Sequence, residues 1–143
     1  MAVRIPTELA GVVDGDKLGK ASGIIFNAGI RRRRCTFTSA GNIAAVSDTL
    51  TLGKAKSGDA IRAFEITATS NMAAASIAIG TADDPDKYLA AGALPNATSG
   101  RRIVLPTAAG YDALEEAEDI IATVSGAAIP AGSLIIDTEY SRR

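Results

Sequence analysis

The 143-residue chain contains no histidine, no tryptophan and a single cysteine, Cys35. Without histidine it lacks the usual general base at neutral pH, the base of Ser-His and Cys-His nucleophile pairs, and the commonest transition-metal ligand. One cysteine cannot form a disulfide within the chain or a zinc site built from several thiolates. We therefore expect a protein that is not an enzyme, that needs no cofactor and that acts through binding.

Long apolar runs and aromatic residues are scarce as well, with three Phe and three Tyr in the whole chain. No run of about 20 apolar residues could span a bilayer. Arg4, Pro6 and Glu8 interrupt the N-terminus, which therefore lacks the apolar core of a signal peptide. No glycine-rich phosphate-binding motif occurs either. We expect a chain that is made in the cytoplasm and does not contact a membrane.

Charge is unevenly distributed, although the net charge is only −1. Residues 1–34 carry seven Lys or Arg against three acids, whereas residues 35–143 carry eight against thirteen. We interpret residues 1–34 as an extended basic arm and residues 35–143 as a folded domain. Nucleic-acid binders usually interleave aromatics with their basic residues. Only Phe37 lies near the arginines here, so we expect no nucleic-acid partner.

The arm contains the best candidates for contact with a partner. Four consecutive arginines end it, and their guanidinium groups could dock onto carboxylates across an interface or form a solvated lead-in to a strand. In a strand, Arg31 and Arg33 would share the face of Cys35 and Phe37, while Arg32 and Arg34 would point the other way. The apolar anchors of the arm lie in two short clusters and include Leu9, Val12, Ile24 and Phe26.

From Cys35 onward, apolar and polar residues alternate in short stretches separated by turn residues, which is typical of an all-β sandwich or barrel. A further strand around residues 43–46 or near Tyr111 is a possible addition. The positions that should face a common core are Cys35, Phe37, Leu50, Leu52, Phe64, Ile66, Ala68, Ile77, Ile79, Ile103, Leu105, Ile120, Ala122, Val124, Leu134, Ile136 and Tyr140.

Two segments have helical signals. Residues 84–91 begin with an aspartate, then proline at the first helical position, and predict one short helix. Residues 112–119 fit either a helix or a strand end with a charged turn. Asp83, Asp84 and Asp86 could bind calcium, but capping of the predicted helix explains them without a metal, and we favour capping.

The order of these features resembles that of small head decoration, or cement, proteins of tailed bacteriophages. In residues 75–91 a strand ends at Gly80, an acidic turn follows, and a Tyr88-Leu89 pair comes next. Residues 119–126, a turn of small residues and a closing strand from Leu134 to Tyr140 agree in order. The likeness covers roughly residues 45–140 and concerns layout more than any chemical motif.

The resemblance implies a jelly-roll-like antiparallel β-sandwich on the exterior of a virion. Its partners would be the major capsid protein and further copies of itself, with a homotrimer as the expected assembly. Many modest contacts made by such an oligomer would add up to firm attachment. Other phage structural modules, such as a tail or head–tail connector component, and a carbohydrate-binding sandwich remain as alternatives.

Overall fold

The computed structural model describes residues 30–105 and 113–142, which form eight β-strands. The strands are β1 (Ile30–Ser39), β2 (Thr49–Ala55), β3 (Asp59–Ala68), β4 (Ser76–Gly80), β5 (Leu89–Ala93), β6 (Arg101–Val104), β7 (Glu118–Ser125) and β8 (Gly132–Arg142). They make two antiparallel four-stranded sheets with the orders β1-β8-β3-β6 and β2-β7-β4-β5. We call these the first and second sheets.

The strand pairing shows how the chain is wound. The first strand pairs with the last, the second with the seventh, the third with the sixth, and the fourth with the fifth. The chain is therefore one long antiparallel ribbon whose tip is the β4–β5 connection. Rolling that ribbon up adds the β3–β8 and β4–β7 pairs and gives the two packed sheets of a jelly roll.

The core lies between the sheets and is built from the alternating apolar residues. Phe64, Ile66, Ile77, Leu134 and Ile136 have no exposed surface. Cys35, Phe37, Ala68, Ile103 and Tyr140 are partly buried and pack against that core. The period-two pattern thus correctly predicted the inward-facing side chains, because successive residues of a strand point to opposite faces of its sheet.

The predicted helix over residues 84–91 is wrong. Residues 84–88 form a turn closed by the Lys87 amide donating to the Asp84 carbonyl at 3.2 Å, and β5 begins at Leu89. The turn packs tightly against β4, since a side chain at Gly80 would overlap the Asp84 carbonyl. Proline after aspartate starts a β-turn as readily as a helix, and tertiary pairing decides between them.

The structure also bears on three predicted segments: the arginine run, residues 43–46 and residues 112–119. β1 begins at Ile30, so the arginine run that we assigned to the end of the arm lies in a strand of the first sheet. Residues 1–29, the rest of the predicted arm, lie outside the described range. Residues 43–46 contribute an isolated bridge between Ala44 and Ile129, and Tyr111 is outside the described range. Residues 113–117 form a bend that leads into β7, which is the strand-and-turn alternative.

Neither sheet is accompanied by a helix in the described ranges. Accordingly, no helix that is long and apolar enough to cross a membrane occurs there.

Candidate functional site

The arginine run lies on an edge strand. β1 pairs only with β8 among the described strands, so no strand of the described ranges borders its other side. Arg32 and Arg34 project from the outer face of the first sheet, and Arg33 shares the inner face with Cys35 and Phe37. This is the alternation that the sequence predicted for a strand.

Arg32 and Arg34 bind carboxylates of their own sheet. Arg34 donates from Nε and Nη2 to the two carboxylate oxygens of Asp137, both at 2.9 Å. Arg32 donates to Glu139 at 2.7 Å and lies 3.4 Å from Asp137 and from Glu65. Two parallel bonds to one carboxylate are the strongest arrangement that a guanidinium forms.

Arg102 completes this group from the opposite edge strand. It donates to both oxygens of Glu139, at 2.6 and 2.7 Å, and lies 3.6 Å from Glu65. We call these side chains the arginine–carboxylate network, and its members are Arg32, Arg34, Glu65, Arg102, Asp137 and Glu139. Three positive and three negative charges make it neutral overall.

Strand register brings these residues together. Arg34 lies opposite Asp137, which lies opposite Glu65, which lies opposite Arg102. Arg32 lies opposite Glu139 in the next row on the same face. Because residues two apart on a strand share a face, the network spans all four strands of the first sheet.

The acids of the network lie beneath the arginines. The side chain of Asp137 is 2% exposed and that of Glu139 is 8% exposed, while the arginines keep about half their surface. The hydrogen bond from Arg102 lowers the pKa of Glu139 to about 2, helped by Arg32 and opposed by burial. The hydrogen bonds to these acids in turn raise the pKa of each of the three arginines.

Two further arginines reach across the gap between the sheets. The Arg33 guanidinium lies 5.6 Å from the centre of the Tyr140 ring and against Gly53 of β2. Arg101 donates to the Ala93 carbonyl of β5 at 2.9 Å and lies against Gly92. Each side of the sandwich is thus bridged by an arginine packed over a glycine of the other sheet.

Arg31 is the exception in the run. It is exposed, and it makes no ion pair or hydrogen bond with any residue in 30–105 or 113–142. Within those ranges it is the one arginine of the run that contacts neither an acid nor an aromatic ring. Leu9, Val12, Ile24 and Phe26 lie outside that range.

Because β1 begins at Ile30, the sequence that precedes it carries no net charge. Residues 1–29 contain three basic residues, Arg4, Lys17 and Lys20, and three acids, Glu8, Asp14 and Asp16. The positive charge of residues 1–34 therefore comes entirely from the arginine run of β1. Much of that charge is neutralised within the first sheet.

The other candidate sites have local structural roles. No cluster of His, Cys, Asp or Glu side chains within the described ranges is arranged to hold a metal ion, and Asp84 shapes a turn through its backbone. The Cys35 thiol donates to the Leu52 carbonyl at 3.3 Å, and burial raises the pKa of that thiol. It is a packing residue between β1 and β2.

Sequence reasoning missed the carboxylate partners of the arginine run. Asp137 and Glu139 alternate on β8 as Arg32 and Arg34 alternate on β1, so two strands carry opposite charges with the same period. That pattern is a signal for adjacent pairing on one face. Glu65 and Arg102 belong to no charge alternation of this kind on β3 and β6, and they give no such signal.

Comparison with known proteins was made at three levels. No protein-family model and no curated protein sequence matches the chain. Solved structures do match: a chain of the Cyanophage Pam1 capsid asymmetric unit has a TM-score of 0.57 at 15% identity, covering 82% of this chain and 86% of that one. A chain of the Ralstonia phage GP4 capsid has a TM-score of 0.54 at 16% identity, covering 81% and 86%.

A third match comes from the acidic stable capsid of the Helicobacter pylori bacteriophage KHP30. Its TM-score is 0.52 at 13% identity, with coverage of 80% of this chain and 86% of that chain. Each match covers at least four-fifths of both chains, so the chains are similar in length and in overall architecture. The chain therefore shares its β-sandwich fold with proteins found in three phage capsids.

Proposed function

We propose that this protein is a virion structural protein that decorates the exterior of a bacteriophage capsid and stabilises it through protein–protein contacts. The observation that carries the proposal is the end-to-end match with chains of similar length from three phage capsids. Fold alone does not determine function, but a match of whole chain to whole chain is more informative than a shared domain within larger, unrelated proteins.

The chemistry of the described residues is consistent with that role. Asp137 and Glu139 of the first sheet are bound by arginines of the same sheet. The described aromatic residues pack in or against the core, namely Phe37, Phe64, Tyr88 and Tyr140. They therefore form no exposed platform for a sugar ring, which disfavours the carbohydrate-binding alternative.

The proposed partners are the major capsid protein and other copies of this chain. A homotrimer on the capsid would present several equivalent contact surfaces, and multivalent attachment raises the overall affinity without any single strong contact. We assign contact roles to Leu9, Val12, Ile24 and Phe26 in the arm and to Arg31 in β1. The remaining arginines of the run are engaged within their own sheet.

Rebinding to particles tests the attachment. Virions of the phage that encodes this chain are stripped of loosely bound proteins with mild denaturant and mixed with purified protein. We expect the protein to co-sediment with the particles in a saturable manner and to raise the temperature at which they release their DNA. Protein that stays in the supernatant at every concentration would contradict the proposal.

The oligomeric state separates decoration from the other phage roles. Sedimentation velocity of the purified full-length chain should give a single small oligomer with the mass of three copies. Rings of five, six or twelve copies would favour a tail or head–tail connector component.

A further inference from the structure

The edge of β1 that no described strand borders, called here the free edge, differs from the other three edges of the two described sheets. β1 is ten residues long, and its register with β8 is continuous from Ile30 to Ser39. No described side chain bonds to the backbone of this strand. A long, regular edge with unpaired backbone groups is a template for the addition of another strand.

The two edges of the second sheet are obstructed. In β2 the Leu52 carbonyl accepts a hydrogen bond from Cys35, and the register shifts between Thr51 and Gly53. In β5 the Ala93 carbonyl accepts a hydrogen bond from Arg101, and the register with β4 is also irregular. Bulges and occupied carbonyls both prevent regular strand addition.

The remaining edge strand, β6, is only four residues long, and so short a strand offers few backbone groups to which another strand could pair. The arginines of β1 could also protect its edge, since charged side chains on an edge strand usually hinder pairing with another strand. Arg32 and Arg34, however, lie over the acids of β8, which is the side of β1 opposite to the free edge. Arg33 packs between the sheets, so the edge is left open.

We infer that the free edge of β1 binds an extended segment of a capsid shell subunit, which adds to the first sheet as a fifth strand. This inference rests on the proposed function and names the surface through which it operates. Two adjacent residues of β1 define the chemistry of that segment. Ile30 is 61% exposed on the outer face, and Arg31 is exposed with no described partner.

A complementary segment therefore has an apolar residue beside Ile30 and an acid beside Arg31. The acid would satisfy the one arginine of the run that the first sheet leaves unpaired. Main-chain hydrogen bonds would supply affinity, and these two side-chain contacts would supply the choice of partner.

Amide hydrogen exchange on stripped particles tests the inference. The full-length protein is exchanged free or particle-bound, quenched, released and read residue by residue by NMR. In the free protein, alternate amides of β1, those that point away from β8, should exchange quickly. On the particle those same amides should become protected.

Two results would overturn the inference while leaving the proposed function intact. One is binding to particles with no added protection in β1. The other is protection of every second β1 amide already in the free protein, because another segment of this chain or a second copy would then occupy the edge. Failure to co-sediment at all would instead count against the proposed function itself.

Charge reversal gives an independent readout. Arg31→Glu should weaken binding to particles by roughly twofold to tenfold, since it replaces one favourable exposed pair by a repulsive one. Lys54→Glu is the matched control, because Lys54 is an exposed cation on the edge strand of the second sheet. Equal losses in the two variants would show that general charge, and not the β1 edge, controls attachment.

Discussion

Thr138 is a polar residue in an apolar position. Its side chain is 2% exposed on the inner face of β8, and its hydroxyl has no hydrogen-bond partner among the described groups. A buried hydroxyl without a partner loses its bonds to water and gains none in return. Thr138→Val, which keeps the shape, should therefore raise the free energy of unfolding by about 1 kcal/mol, measured by denaturant titration.

The control for this substitution is Thr36→Val, because Thr36 is exposed on the outer face of β1. The exposed hydroxyl remains bonded to water in the folded state, so its replacement should leave the unfolding midpoint nearly unchanged. A loss of stability in Thr138→Val would mean that the hydroxyl has a partner in solution.

Gly53 has a backbone conformation that favours glycine, and the side chain of Arg33 packs over it. Its φ is +106°, and a Cβ atom there would lie 2.6 Å from Nη1 of Arg33. Gly53→Ala should destabilise the protein by about 1–3 kcal/mol, because an alanine is strained at this φ and displaces the arginine. Gly41→Ala is the control, since a Cβ at Gly41 meets nothing within 4 Å. Equal unfolding midpoints for the two variants would contradict the strained backbone conformation at Gly53.

Among individual residues, burial was more predictable than bonding partners. Alternation along a single strand is enough to place Phe64 and Ile66 in the core, because only the period and the face are needed. The partner of Arg34 lies 103 residues away, and that of Arg32 lies 107 away. Which strands become neighbours is decided by the rolling of the ribbon, and no local pattern contains that information.

The same contrast between local pattern and long-range pairing applies to whole strands. The strands with clear alternation, such as β3, β7 and β8, were predicted because their side chains differ between the two faces. β5 has the sequence Leu-Ala-Ala-Gly-Ala, which lacks alternation, and its edge position leaves it half exposed. Alanine-rich sequence favours helix in isolation, and only pairing with β4 makes this segment a strand.

The arginine–carboxylate network should make the stability of the first sheet depend on acid pH. Glu139 has a folded-state pKa of about 2, below its ordinary value of 4.5. A carboxyl group whose pKa is lower in the folded state stabilises the folded protein at any pH above its ordinary pKa. This contribution disappears as the pH falls from the ordinary pKa towards the folded-state pKa. Between about pH 4.5 and pH 2, the free energy of unfolding should therefore fall with pH.

Glu139→Gln isolates this contribution, because the amide cannot ionise. The variant should be less stable than the parent protein at neutral pH, and the difference should shrink between pH 4.5 and pH 2 in urea titrations. Glu115→Gln is the matched control, since Glu115 is exposed in the bend before β7. A difference for Glu139→Gln that stays constant across this range would show that its role is packing and not ionisation.

On the scale of the whole molecule, the structure changes how the charge of the chain is understood. The predicted basic arm and acidic body assume that the four arginines of the run have no acidic partners within the chain. Within the fold, Arg32 and Arg34 bind the carboxylates of Asp137 and Glu139, and residues 1–29 are neutral. Attachment through long-range electrostatic attraction consequently loses its main support, and short-range contacts become the expected mode.

The salt dependence of binding to stripped particles measures how much long-range electrostatic attraction contributes to attachment. Exposed charges are screened within about 10 Å at 0.1 M salt and within about 3 Å at 1 M. If attachment relies on apolar contacts, backbone pairing and the single cation Arg31, co-sedimentation with stripped particles should change by less than about tenfold over this range. A protein that neutralises many charges on its partner would lose affinity by orders of magnitude.

Binding to duplex DNA under the same conditions provides the contrasting measurement. The neutral network leaves no stripe of four free arginines, so retention on DNA should be weak even at low salt. If binding to particles depended steeply on salt and binding to DNA were tight, the arginines would have to leave their carboxylates to bind a partner. In that case Asp137 and Glu139 would be left buried without partners, and the bound protein would become less stable.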